Sequence, residues 1–221
     1  MTNNKNTDGI TLGQSALIAG LGLLFMTFAA IFAQVAVNSN FITGNASETA
    51  IKILAANNMF RFGIVSYLIV VALDIIVAWA LYAFFKPVNK SLSLLTCLLR
   101  VIYAAIFGGS LVFLVNGLGL LNNPDQLEAS INSFLNCWNL ALFFFGIHLG
   151  LLGYLVWKSN YAPKIIGVLL FIASFGYLID SIGKILITNY SISLTLFTFI
   201  GEIILLFWLI FSGRKTKANT N

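Results

Sequence analysis

Charge is scarce in this 221-residue chain. Asp, Glu, Lys and Arg make up only 9% of the residues, whereas hydrophobic residues make up 59%. A water-soluble domain of this length needs far more charge to cover its surface, so the composition excludes an ordinary soluble protein and predicts that the solvent is a bilayer. The formal net charge of +5 does not indicate nucleic-acid binding, because most of the basic residues lie where membrane topology requires them.

Cysteine and histidine are also rare. Cys97 and Cys137 lie in apolar segments without the spacing of a metal or redox site, and they are interpreted as small interior residues. The single His148 cannot supply both axial ligands of a transmembrane haem. The chain has no HExxH, GxSxG, P-loop or dinucleotide motif. We therefore assign no catalytic residues, and we expect no metal and no cofactor.

Long apolar runs dominate the chain. Each of six runs has the roughly 20 residues that cross a bilayer as a helix, and polar or turn residues separate them. An open strand edge would leave backbone groups unpaired in lipid, which favours helices. The predicted spans are residues 15–37, 60–85, 92–121, 133–157, 164–187 and 191–212. Residues 1–14 form a tail, 15–213 the transmembrane domain, and 214–221 a basic tail.

Basic residues predict the orientation. If the spans alternate, eight of the twelve basic residues fall on one side of the membrane: Lys5, Lys86, Lys90, Lys158, Lys164, Arg214, Lys215 and Lys217. The other side carries Lys52 and Arg61 together with acidic residues. The excess of Lys and Arg places both termini in the cytoplasm. The expected fold is an all-α, polytopic, integral membrane protein with a six-transmembrane-helix bundle and both termini cytoplasmic.

The first external loop has two interpretations. The stretch "SETAIKILAANNMF" is either an irregular connector or a short amphipathic helix on the membrane surface. In the second case Ile51, Ile53, Leu54 and Met59 would face the membrane.

Small residues at a four-residue spacing recur in the spans, as in Gly146-x-x-x-Gly150. Such pairs let helices approach closely. Packing within one bundle is the ordinary explanation, and a homodimer is the alternative.

Six ionisable residues lie within the apolar runs: Asp74, Arg100, His148, Asp180, Lys184 and Glu202. A central Asp, Lys or Arg costs about 2.5–3.5 kcal/mol on insertion scales, so we expect these side chains to face the interior. Asp180 precedes Lys184 by four residues, the favourable order for an ion pair on one helical face. Tyr103 and Tyr177 share faces with Arg100 and Asp180, and Thr195 and Thr198 with Glu202.

The intramembrane charges do not cancel. The three carboxylates would carry three negative charges, whereas Arg100 and Lys184 carry two positive charges. A proton, a charged His148 or a bound cation must therefore supply the missing positive charge. Interior groups that change protonation are what proton-coupled chemistry requires, and an inert structural network is the alternative.

The second half of the chain carries a specific motif. It consists of His148, "LLGYLVWKSNYAPK" with Pro163, "GYLIDS" with Asp180, and a late "GE" with Glu202. With "RVIYAAIFG" around Arg100 and Tyr103, the chain resembles the bacterial multi-pass membrane family known as domain of unknown function 4386. The resemblance implies a six-helix bundle in a bacterial inner membrane. It implies no activity, and it places the charged positions within the shared motif.

Three functional hypotheses follow. In the leading one, a small-solute or proton-linked transporter uses a polar cavity in which carboxylates carry protons or cations and Arg100 holds an anionic group. The alternatives are a non-enzymatic structural or sensory subunit that acts through a partner, and an intramembrane lipid-modifying enzyme that uses His148 with a carboxylate. The expected partners are membrane lipid and a small-molecule or ion ligand. The candidate site residues are Asp74, Arg100, Tyr103, His148, Tyr177, Asp180, Lys184 and Glu202.

Overall fold

The computed structural model describes residues 9–194 and 200–216, and within these ranges the chain is helical and contains no strand. Seven α-helices are numbered here in chain order: α1 Leu12–Ala33, α2 Ala46–Ala55, α3 Asn57–Phe85, α4 Lys90–Gly117, α5 Pro124–Lys158, α6 Lys164–Leu186 and α7 Ile200–Phe211. A π-helix, Gln34–Ser39, continues α1, and a short 3₁₀-helix, Gly213–Lys215, follows α7.

Local sequence explains where the helices begin. Thr11 and Gln14 form a reciprocal capping box at the start of α1. The side chains of Asn45 and Asn89 accept backbone N–H groups at the starts of α2 and α4. Proline occupies the first position of α5, where its missing N–H removes no helical hydrogen bond.

Five of the described helices are long and apolar enough to cross a membrane: α1 with its π-helical extension, α3, α4, α5 and α6. The prediction of an all-α fold is thereby confirmed for the described residues, as is the prediction of long helices that are apolar enough to cross a membrane. The expected sixth span, 191–212, coincides with α7 only in part: residues 191–194 are described and are not helical, and residues 195–199 lie outside the described ranges. Thr195 and Thr198 belong to those residues.

The long helices pack in a closed ring. Going round it, α1 packs on α3, α3 on α4, α4 on α5, α5 on α6, α6 on α7, and α7 on α1 again. The ring buries aromatic and aliphatic residues inside, while side chains such as Phe62, Phe175 and Ile185 are exposed on its outer surface. An exposed apolar rim around a buried core is expected of a bundle whose solvent is lipid.

Glycines allow α5 and α6 to approach closely. A Cβ on Gly153 would lie 2.8 Å from the Gly167 carbonyl oxygen, and one on Gly150 would lie 2.9 Å from the Ser174 hydroxyl. The Ser174 hydroxyl donates a hydrogen bond of 2.7 Å to the Gly146 carbonyl across the same interface. The Gly146/Gly150 pair therefore contributes to packing within the bundle.

One end of the bundle collects basic residues. The hydroxyl of Tyr161, in the turn after α5, donates a hydrogen bond of 2.9 Å to the carbonyl at Phe84, near the end of α3. Burial raises the pKa of Tyr161, so this phenol stays a donor at neutral pH. Trp208 of α7 packs on Phe84 as well. We refer to this as the basic end, and its charged residues are Lys86, Lys90, Lys158, Lys164, Arg214 and Lys215.

The first loop at the opposite end contains a helix, α2, as the amphipathic interpretation predicts. Ile51 and Leu54 are 66% and 54% exposed on its outer side. The assignment of Ile53 to that side is wrong: Ile53 is fully buried, because this face of α2 packs onto the bundle. Met59 belongs to α3.

Candidate functional site

An ion pair lies at the centre of the bundle. One Nη of Arg100, from α4, lies 2.7 Å from an Asp74 carboxylate oxygen, from α3. The two side chains are 3% and 1% exposed. Asp74 lies 11 residues from the α3 terminus at the basic end and Arg100 lies 10 residues from that of α4, which places both about 15 Å inside the bundle.

His148, from α5, extends this pair at the same depth. Its Nδ1 lies 2.8 Å from the Thr96 carbonyl oxygen, and its Nε2 lies 3.3 Å from the other Nη of Arg100. A carbonyl only accepts and a guanidinium only donates, so Nδ1 carries the proton and Nε2 accepts from Arg100. His148 is therefore neutral in this arrangement. A second proton, on Nε2, would break the bond to Arg100.

An aromatic wall covers the rest of the guanidinium. The Phe145 ring lies 5.3 Å from the guanidinium carbon of Arg100 and stacks on the imidazole of His148. Tyr103 and Tyr177 pack against other sides of Phe145, with ring centroids 4.8 and 5.2 Å away. An apolar wall strengthens electrostatic interactions at Arg100 by excluding water. We refer to Asp74, Thr96, Arg100, Phe145 and His148 as the Arg100 cluster.

Glu202, near the start of α7, brings a second carboxylate towards the Arg100 cluster. The Tyr177 hydroxyl, from α6, donates a hydrogen bond of 3.2 Å to Glu202 Oε1. Tyr177 also packs on Phe145, so one side chain links Glu202 to the Arg100 cluster. The structure thus brings together six of the eight predicted site residues: Asp74, Arg100, Tyr103, His148, Tyr177 and Glu202.

The interior charges in this region do not cancel if both carboxylates are ionised. Asp74 and Glu202 would then carry two negative charges against the single positive charge of Arg100, with His148 neutral. Hydrogen bonding is also incomplete among the described residues: Arg100 Nε and the Asp74 oxygens lack a well-aligned partner, although the ion pair is short. Buried charges are stable only when they are paired and hydrogen-bonded, so this site favours uptake of a proton or a polar group.

Asp180 and Lys184 lie elsewhere. Asp180 is 16 residues into α6, about 24 Å from the basic end, so it lies well beyond Arg100 in depth. Its carboxylate accepts hydrogen bonds from the Tyr190 hydroxyl at 2.9 Å and the Leu194 backbone N–H at 3.0 Å. The carboxylate therefore anchors the segment after α6. Lys184 is exposed.

Three residues of the site have little sequence signal. Met26 of α1 contributes a sulfur 3.8 Å from Arg100, Thr96 contributes a backbone carbonyl, and Phe145 contributes a ring. The four-residue spacing from Thr96 to Arg100 and the three-residue spacing from Phe145 to His148 put each pair on one helical face, but apolar faces in this chain are full of similar residues. Spacing alone does not single them out.

Two cavities lie outside the Arg100 cluster. A small one of about 40 Å³ lies between α2 and α5 and is lined in part by Asn45, Thr49 and Glu128. The other is an open apolar groove of about 410 Å³ between α6 and α7. Within the described ranges, His, Cys, Asp and Glu form no group of three that would hold a metal ion.

Comparison with known proteins gives a consistent result. The family model described as Domain of unknown function (DUF4386) matches residues 18–213, which is most of the chain. An uncharacterized protein of Archaeoglobus fulgidus is 40% identical over 154 residues, and the matched region covers 70% of this chain and 85% of that relative. No solved structure matches the chain.

Proposed function

This chain belongs to the DUF4386 family, whose description assigns no activity, and from its buried charges we propose that it is a proton-linked transporter of a small anionic solute. The observation that carries the proposal is the linked set Asp74–Arg100–His148, in which three helices each place one polar side chain at the same depth. Ionisable residues at membrane depth are expensive, and in membrane proteins they mark ion, proton and substrate pathways.

The geometry supports a simple coupling scheme. Asp74 and an anionic solute compete for the same guanidinium. When Asp74 is ionised, it occupies Arg100 at 2.7 Å. A proton on Asp74 removes that partner, and Arg100 becomes available to the solute. Binding of the anion and binding of the proton then favour each other, which is the requirement for symport.

Glu202 and His148 have supporting roles in this scheme. Glu202 accepts a hydrogen bond from Tyr177, which packs on Phe145, so it is a second proton acceptor linked to the Arg100 cluster through one side chain. Protonation of His148 Nε2 would break its hydrogen bond with Arg100. Proton binding at Asp74 and proton binding at His148 therefore act on the same cation.

The membrane arrangement is part of the proposal. We place residues 15–213 in a cell membrane as six spans, the sixth of which includes α7. The 1–14 and 214–221 tails are then cytoplasmic, and the basic end faces the cytoplasm. The excess of Lys and Arg at that end supports this orientation.

Proton movement in proteoliposomes tests the proposal. Vesicles that contain a pH-sensitive dye are given inward gradients of inorganic phosphate, succinate or glutamate. We expect at least one gradient to acidify the lumen at least five-fold faster than in empty vesicles. Asp74→Asn and Arg100→Gln should abolish this signal, whereas Lys184→Gln, which changes an exposed intramembrane cation outside the site, should retain it.

Two results would overturn the transport assignment. One is wild-type vesicles that stay at the empty-vesicle rate with all three gradients. The other is an Asp74→Asn protein that elutes as a single species and acidifies the lumen at the wild-type rate. Asp74→Glu, which keeps the carboxylate, serves as a second variant if the amide prevents folding.

One observation favours a second candidate, a non-enzymatic structural or sensory subunit. Neither described cavity is lined by a residue of the Arg100 cluster, as expected if the charges only fix the register of the helices. In that case the same substitutions would lower stability without any flux to abolish. The arrangement does not favour the lipid-modifying enzyme, because His148 is fully buried and both its ring nitrogens are engaged.

A further inference from the structure

The outer surface of the bundle has an apolar groove next to the basic end. It runs between the start of α6 and the end of α7 and has a volume of about 410 Å³. Its walls are Pro163, Ile165, Ile166, Ile204, Phe207, Trp208 and Phe211. Ile165, Phe207 and Phe211 are each about half exposed or more, so the groove is open to its surroundings. In a membrane those surroundings are acyl chains.

Positive charge rims the groove. Lys164 lies between two wall residues, and its ammonium lies 5.6 Å from the Trp157 ring centroid, a cation–π contact that leaves its charge without an acidic partner. Arg214 and Lys215 are exposed at the same end of the bundle, in the 3₁₀-helix after α7, which packs on the start of α1. The described part of the basic end has no exposed Asp or Glu, since the exposed acidic residues lie on α2 and at the start of α5.

We infer that this groove is a binding site for one anionic phospholipid. An acyl chain occupies the apolar groove, and the phosphate-containing headgroup lies at Lys164, at the end of the bundle where basic residues collect. The two halves of the ligand match two adjacent surfaces of the protein. The acyl chain of a zwitterionic lipid would also fit the groove, but its headgroup has no net negative charge to neutralise Lys164. This binding site is independent of the proposed transport activity.

Charge complementarity selects this occupant over a second copy of the chain. A second copy that packed on the groove through the same face would bring two copies of Lys164 together. Like charges that face each other across an interface oppose association. An anionic headgroup neutralises the same charges, and it is held near the membrane surface where they lie.

Native mass spectrometry of the full chain in detergent tests the inference. The protein is titrated with phosphatidylglycerol and with phosphatidylcholine that has identical acyl chains. We expect the first phosphatidylglycerol to bind at least five-fold more tightly than phosphatidylcholine. Lys164→Gln should reduce this preference to two-fold or less, and the matched control Lys184→Gln should keep it. Ile204→Trp, which fills the groove, should weaken the first binding step for both lipids.

Three outcomes would overturn the inference. Equal binding of the two lipids to the wild type would remove the headgroup specificity. A Lys164→Gln protein with the full five-fold preference would remove the assigned cation. Dimers that dissociate when the groove is filled by Ile204→Trp would show that a second copy occupies the groove.

Discussion

At the scale of single residues, Arg100 is the side chain on which the interior depends. It is the only described cation in contact with Asp74, and it donates the hydrogen bond that His148 Nε2 accepts. Removing one member of a buried ion pair leaves the other charge without compensation, whereas removing both can be nearly neutral. The ion pair therefore predicts that a single substitution lowers stability more than the double substitution does, and this holds whatever the function of the pair.

Arg100→Met should reduce the free energy of unfolding by about 3–5 kcal/mol, because it leaves Asp74 buried without its cation. The double variant Arg100→Met/Asp74→Asn should recover at least half of that loss. Unfolding of the purified protein by SDS in mixed micelles, followed by tryptophan fluorescence, measures both values. A matched control, Lys184→Met, should lie close to wild type because Lys184 is exposed. Strictly additive effects of the two substitutions would contradict the pairing.

The sequence predicts which residues are buried at the site but not how they pair. The free-energy cost of exposing a charged side chain to lipid predicts that Asp74, Arg100 and His148 lie in the interior. All three are buried in the structure. Their convergence depends on which helices are neighbours, and spacing along one helix does not determine this. Asp180 illustrates the limit: its four-residue spacing to Lys184 permits a pair, but this spacing does not reveal the hydrogen bonds that Asp180 accepts from Tyr190 and Leu194, in the segment after α6.

At the scale of elements, the α5–α6 interface shows how backbone contact positions the site. α5 carries His148 and Phe145, and α6 carries Tyr177. The two backbones approach so closely that a Cβ on Gly153 would lie 2.8 Å from the Gly167 oxygen, a backbone atom that no side-chain rotation can move. The spacing between α5 and α6 is therefore fixed by residues without side chains, only five positions from His148.

Gly153→Ala should destabilise the protein by about 1–3 kcal/mol, the usual range for overpacking a tight core. The matched control is Gly109→Ala in α4, where nothing lies within 4 Å of the added Cβ and a helix gains from the better propensity of alanine. Gly109→Ala should be neutral or slightly stabilising. Thermal unfolding of both variants in one detergent provides the comparison. Equal stabilities would show that α5 and α6 separate freely.

The π-helix after α1 is an element that apolar periodicity does not predict. Over Gln34–Ser39 the side chain of Gln34 accepts hydrogen bonds from Asn38, at 2.7 Å, and from the Tyr67 hydroxyl of α3, at 3.2 Å. The long apolar run predicts that a helix continues here. The widened turn is associated with a polar contact to another helix, which only the folded arrangement provides.

At the scale of the whole molecule, the two ends of the bundle differ in charge. The described part of the basic end carries six Lys and Arg residues: Lys86, Lys90, Lys158, Lys164, Arg214 and Lys215. The opposite end carries Glu48, Asp125 and Glu128 with Lys52 and Arg61. The sequence alone predicts this asymmetry, because charge is a property of the chain itself. Hydropathy does not predict every helix limit: the expected fourth span starts at residue 133, whereas α5 begins at Pro124 with a polar first turn.

Thiol labelling in intact cells tests the six-span arrangement and its orientation. In a Cys97→Ser/Cys137→Ser background, a membrane-impermeant maleimide should label Lys52→Cys and Gln126→Cys. It should label Lys90→Cys and Lys158→Cys only after the membrane is permeabilised. Labelling of Lys158→Cys in intact cells would reverse the orientation. Opposite accessibility of Lys90→Cys and Lys158→Cys would exclude an even number of spans between them.

The closed ring of helices has a consequence for biogenesis. The face of α1 that includes Gly20 packs against Ile210 of α7, so its partner is synthesised about 190 residues later. At the usual 5–20 residues per second, translation leaves that face without its final neighbour for roughly 10–40 s. During this interval the bundle is incomplete, because α1 and α7 are not yet in contact. Lipids that cover the α1 surface in that interval must be displaced when α7 arrives.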